Sequence, residues 1–191
     1  MIEEPIHEEK PEGESLSTGE EKLLDPVVVK EEDAAEFSSD LLHDLQENYT
    51  DVQRQNLYQK ILKMTIPQKI RLAMLGNREA RNILILDRNK VVCMAVLRSP
   101  RLMENDVLFF AQQRNIAEDV LRNIGKEKRW AKNYTIKVAL ANNPKTPLAV
   151  AIRLLDHLHD NDLKALRRNK NVSSVLNRAA FQVQAKRGIS S

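Results

Sequence analysis

Residues 139–155 read ALANNPKTPLAVAIRLL. An alanine- and leucine-rich run stops, crosses Asn-Pro-Lys-Thr-Pro, and resumes. The stretch predicts a turn between two helices. Thr146 is placed to cap the second helix, with Pro147 at its first position, where a missing N–H does no harm. Weaker copies of the turn follow from alignment. VLRSPRLMENDVL at 96–108 puts Pro100 in the slot of Pro144, FAQQRNIAEDVL at 110–121 puts Arg114 there, LRRNKNVSSVL at 166–176 has Lys170, and MLGNREARNIL at 74–84 has Arg78. The anchors at 78, 100, 114, 144 and 170 are separated by 22, 14, 30 and 26 residues. The longer gaps suit a pair of short helices with turns, and the 14 suits half a unit. Imperfect periods in this range predict stacked repeats, each too small to bury its apolar face alone.

The rest of the chain fits that reading. Leu57, Ile61 and Met64 recur at helical spacing behind an N-cap at Thr50. Pro67 opens the next helix, which ends at Gly76, read as the left-handed glycine past a helix end. Short apolar segments then alternate with polar breaks as far as Lys186. NILIL and KVVCMAVL carry strand-like Ile and Val, but no hairpin turn lies between them, so both are read as helix. Only Gly76 and Gly125 fall between 61 and 187, which leaves little room for hairpins. The expected fold is all-α: a short right-handed α-solenoid of four or five helix pairs over 65–187. Leading helices occupy 37–64, and a C-terminal tail occupies 188–191. Residues 1–36 are rich in Glu, Pro, Ser and Gly and lack aromatics, so they read as a disordered acidic tail. Leu23 to Glu31 forms an apolar island within it, a linker or a docking segment.

VALANNPKTPLAVAIRLLDHL, residues 138–158, resembles the leucine-rich-repeat-variant unit, in which an Ala-x-Asn-Pro-x-Thr-Pro turn precedes a leucine-rich helix. More broadly, 65–187 resembles HEAT-like α-solenoids. The resemblance implies that some short segments are 3₁₀ helices. It implies a scaffold and no common activity. The cysteine cluster of an iron–sulfur member has no counterpart here, because the chain holds one cysteine.

Composition narrows the function classes. No run approaches a membrane span, and MIEEPIHEEK lacks the features of a signal peptide, so a cytoplasmic protein is expected. Cys93, in an apolar run, reads as a buried structural thiol. The formal charge of +3 conceals an asymmetry. Residues 1–60 hold 5 Lys+Arg and 17 Asp+Glu, whereas 61–191 hold 25 and 10. An acidic head on a basic body is the main global feature. The head is a solvated tail or a competitor for the body's ligands.

No phosphate loop, nucleophile elbow or metalloprotease motif occurs, so the expectation is a protein that is not an enzyme and carries no cofactor or metal. His157 and His159 lie two apart, about 200° around a helix, which does not suit a shared metal. The candidate partner- or phosphate-binding residues are the cations at or near the turns: Arg78, Arg81, Arg98, Arg101, Arg114, Lys137, Arg167, Arg168 and Lys170. Equivalent positions of stacked units line up, so these residues would form a row. Trp130 and Tyr134, four apart among lysines and arginines, are a candidate aromatic contact for single-stranded nucleic acid, or Trp130 fills the core between two repeats. Phe109 and Phe110 read as core. The leading expectation is a scaffold that binds a protein partner, an acidic one, through its basic concave or rim surface. The alternative is DNA or RNA tracked along its phosphates, modulated by the acidic tail.

Overall fold

The structure is a computed structural model that describes residues 31–44 and 49–188. Most of the predicted acidic tail, nearly all of Leu23–Glu31 and the last three residues lie outside them. The described residues are all-helical. A 3₁₀ segment, Glu31–Glu36, leads into α1 (Ser39–Leu42), α2 (Asp51–Leu62), α3 (Ile66–Leu75), α4 (Arg78–Leu84), α5 (Lys90–Arg98) and α6 (Glu104–Gln112). There follow α7 (Glu118–Lys126), α8 (Lys128–Ala131), α9 (Tyr134–Asn142), α10 (Leu148–Leu155), α11 (Asp160–Arg168) and α12 (Ser174–Lys186). KVVCMAVL falls in α5, and NILIL starts in α4 and ends in the turn after it, so neither is a strand.

Helices this short are marginal alone, so their ends must be set locally and their faces buried by neighbours. Side chains set the starts. Thr50 and Gln53 form a reciprocal capping box on α2: the Gln53 N–H donates to Thr50 Oγ1 (3.3 Å) and the Thr50 N–H to Gln53 Oε1 (2.9 Å). Asn77 and Asn89 accept from Ala80 and Val91, both at 2.9 Å. Asn133 accepts from the N–H groups of Thr135 and Ile136. That cap separates α8 from α9 within WAKNYTIKVALA, residues 130–141.

The helices stack in two layers. One layer runs α2, α4, α6, α9, α11, each touching the next. In the other, α3 packs on α5 and α5 on α7, and α10 packs on α12. Gly125 of α7 meets α10 so closely that a Cβ there would lie 2.6 Å from Val150 Cγ1. The core is continuous along the stack, from Phe37 and Leu41 through Leu72, Val92, Phe110 and Ile124 to Leu154. A second cluster, including Leu155, Leu163 and Leu176, carries it to α12.

Four inter-helix turns share one design: 99–103, 113–117, 143–147 and 169–173. Their second and third residues are exposed, and their fourth is buried: Leu102, Ile116, Thr146 and Val172. Thr146 therefore does not cap α10, which begins at Leu148. It occupies an apolar slot, and its buried hydroxyl has no hydrogen-bond partner among the described residues. Four of the five sequence anchors are the second residue of such a turn, whereas Arg78 opens α4. The irregular gaps arise because the anchors mix the two edges of the stack. Arg78 starts and Pro100 precedes a helix of the first layer, whereas Arg114, Pro144 and Lys170 follow such helices.

Two further readings change. Gly76 has φ −62°, so it is not a left-handed cap. Its missing Cβ matters because that atom would lie 2.5 Å from the Leu72 carbonyl oxygen. Glu31–Glu36, assigned to the tail, is ordered as a 3₁₀ segment. Glu36 accepts from Gln68 Nε2 (2.7 Å) and from Arg71 (2.9 Å), and these bonds, Gln68's first, hold its carboxyl below the usual range.

Two stability outcomes follow. Thr146→Val removes an unsatisfied hydroxyl at constant shape and is expected to stabilise the fold by about 1 kcal/mol in urea unfolding; destabilisation would mean that the hydroxyl has a partner. Gly125→Ala overpacks α7 against a stiff valine and is expected to cost about 1–3 kcal/mol. Val150→Ala in the same chain should recover part of that loss, and strict additivity of the two changes would contradict the contact.

Candidate functional site

The first layer exposes a groove of about 1500 Å³. Tyr58 and Leu62 of α2, Ile83 of α4, Leu86 after it and Phe109 of α6 line it together. Tyr58, Leu62, Leu86 and Phe109 are 47%, 49%, 43% and 39% exposed. Four large apolar side chains thus share one open surface. Phe110 is buried as expected, but Phe109 turns into the groove. A second groove, about 560 Å³, lies between α6 and α9, lined in part by Leu108, Val138 and Arg114.

The charges around the larger groove are largely paired. Arg54 Nε lies 3.1 Å from Glu79, Lys69 Nζ 2.8 Å from Asp87, and Arg78 Nε 3.0 Å from Asp106. Asp106 is 3% exposed and also receives Arg81 at 2.9 Å. Arg81 is 5% exposed and donates as well to the Gly76 carbonyl. Arg81 is therefore an internal tie. Removing either member of a buried pair typically costs about 3–5 kcal/mol.

Other predicted site residues separate into engaged and unengaged cations. Arg101 donates to the Leu42 and Leu75 carbonyls. Arg167 donates to Gln184 Oε1 (2.9 Å), and its guanidinium sits 4.7 Å above the Phe181 ring. Arg98 is exposed and has a partner within the fold. Lys137 is half-buried on α9. Arg114, Arg168 and Lys170 are exposed and make no ion pair among the described residues.

Of the two readings of Trp130, a stacking surface or a core position, the structure shows the second. Trp130 is 3% exposed and belongs to the core, so it offers no face to a base. Tyr134 donates its hydroxyl proton to Asp162 and accepts from the His159 N–H (2.9 Å), and its ring lies 4.3 Å from that of His159. His159 thus joins α9 to the start of α11. No group of His, Cys, Asp or Glu able to hold a metal ion occurs among the described residues. No described helix is long and apolar enough to cross a membrane. Cys93 is buried, and its sulfur lies 3.2–3.3 Å from the carbonyls of Asp87 and Ile85. Burial, reinforced by the Asp87 charge, pushes its thiol up to about 11, so it stays protonated and unreactive at neutral pH.

Sequence reasoning overlooked the groove. Tyr58 and Leu62 follow Leu57 and Ile61 by one residue each, which turns them off the buried stripe by about 100°. That offset was the available signal. It also overlooked Lys63 and Lys145 among the turn cations. A comparison with family models, curated proteins and solved structures finds no match to the chain. The resemblance of 138–158 to the leucine-rich-repeat-variant unit therefore rests on its own residues.

Proposed function

We propose that the chain is a non-enzymatic helical-repeat scaffold, a short right-handed α-solenoid, that binds a protein partner in the groove of α2, α4 and α6. The observation that carries this reading is the clustering of Tyr58, Leu62, Leu86 and Phe109, each more than a third exposed, on one concave surface. Exposed apolar patches of this kind mark interaction sites. The groove exceeds the roughly 300–1,000 Å³ of small-molecule sites, which favours a peptide segment over a metabolite. The paired charges at its rim neither repel nor strongly select a charged ligand. Lys63 and Arg88 at its turn side would meet acidic residues flanking the partner's apolar anchors. A groove already formed by short, capped helices lowers the ordering cost of binding.

Peptide-display selection on the full chain tests this. Enriched peptides should carry two or more large apolar anchors with acidic flanks. Leu62→Asp with Phe109→Asp should weaken them by about 100-fold or more while leaving the helical circular dichroism unchanged. Selection that enriches no apolar motif, or peptides indifferent to the double substitution, would refute the groove reading.

A further inference from the structure

Every turn that leaves the first layer carries an exposed cation: Lys63, Arg88, Arg114, Lys145 and Lys170. They recur at intervals of 25, 26, 31 and 25 residues, and the long interval is the one that contains α8. Polar contacts place these turns side by side. Lys69, just past the first, pairs with Asp87 in the second. Lys90, just past the second, pairs with Asp119 beside the third at 2.8 Å. Asn143 in the fourth donates to the Ala111 and Gln113 carbonyls at the third, and Asn169 in the fifth donates to Asn142 Oδ1 at the fourth. The five turns therefore form one edge of the stack.

The opposite edge uses its long cations differently. Arg101 donates to the Leu42 and Leu75 carbonyls, Arg129 to the Leu102 carbonyl, and Arg187 to the Leu158 and Asp156 carbonyls. Those arginines hold successive units together. None of the five cations on the first edge has a side-chain hydrogen bond or ion pair among the described residues. Their stability role is not evident, and their regular placement is.

We propose that the C-terminal part of this edge, Arg114, Lys145 and Lys170, binds the phosphate backbone of a nucleic acid. Three observations favour that ligand over an acidic protein. The turns that carry them lie side by side on helices packed about 8–10 Å apart, so one cation after another meets a ligand that runs along this edge. Of the exposed turn residues beside them, Asn115 and Asn171 are polar and only Pro144 is apolar, whereas a protein interface needs a desolvated apolar centre. A phosphate backbone is bound by charge alone. Residues 120–188 also hold 15 Lys+Arg against 4 Asp+Glu, whereas 31–119 hold 12 against 14, so the field is strongest where the row leaves the apolar groove. Arg114 also lines the smaller groove and its neighbour Asn115 the larger one, whereas Lys145 and Lys170 line neither, so the row runs beyond the apolar anchors and does not depend on them.

The test is fluorescence anisotropy of the full chain with labelled single-stranded RNA, single-stranded DNA and duplex DNA across a salt series. The edge variant is Arg114→Glu, Lys145→Glu, Lys170→Glu. The control, with the same change in net charge, is Lys126→Glu, Arg153→Glu, Arg178→Glu, on exposed positions of α7, α10 and α12 in the other layer. The expected result is binding that falls steeply with salt. The edge variant should lose at least about tenfold in affinity, with a log–log salt slope shallower by about 2 on single strands, and the control should lose much less. Leu62→Asp with Phe109→Asp should bind nucleic acid as the parent does, which separates this proposal from the groove. Absence of binding at low salt, equal losses in edge and control variants, or equally effective competition by polyglutamate at matched charge would overturn the proposal.

Discussion

The stack depends on how helix ends are satisfied. Each α-helix leaves carbonyls without partners at its C-terminus, and burying them unpaired is costly. With helices of only two or three turns, such ends recur every dozen residues. Here the next unit supplies the donors. Asn77 Nδ2 reaches the Asp40 and His43 carbonyls, Ser99 Oγ the Met74 carbonyl, and Asn143 Nδ2 the Ala111 and Gln113 carbonyls. Arg101 and Arg187 do the same with longer reach, and Arg129 ties the Leu102 carbonyl in the turn before α6. Each bond contributes about 1 kcal/mol net, but each also fixes the register of one unit on the last. Apolar burial supplies most of the stability, and these polar ties decide how the layers align.

That constraint divides the charge. Some cations are structural, because a carbonyl or a buried carboxylate consumes their donors. Arg81, Arg78 and Arg101 belong to this set. Others project from turns whose backbone is already satisfied. Asn143 Oδ1 accepts from the Lys145 N–H and Asn169 Oδ1 from the Asn171 N–H, both at 2.9 Å, so asparagine closes the turn and leaves the adjacent lysine unengaged. Both edges are thus tied between units, one by its long arginines and the other largely by asparagine, and the second also presents charge outward.

Much of this was legible in the sequence. The Asn-Asn-Pro-Lys-Thr-Pro turn, the helical spacing of Leu57 and Ile61 and the scarcity of glycine all led to stacked helices. The fate of individual arginines was not legible. Arg101 bonds the carbonyl of Leu42, 59 residues away, and no local pattern announces that contact. Asp106 sits in ENDVL like any first-turn carboxylate, yet it is buried beneath two arginines. Trp130, among lysines and arginines, was open to a stacking or a core reading from sequence, and α8 turns it inward. The edge row was hidden because the anchors alternated between edges; separating the two layers restores a period near 25 residues. Helix period alone reports which face is buried, not which exposed face is concave, so the groove residues also escaped notice.

If polar ties between neighbouring units govern the assembly, breaking one should loosen the stack locally. The most direct measurement is residue-resolved hydrogen exchange on the full chain and on Asn143→Ala. The account predicts faster exchange in α6, α7, α9 and α10, on both sides of the lost tie, with α2 to α4 still protected. A uniform rise in exchange throughout the chain, or none at all, would contradict it.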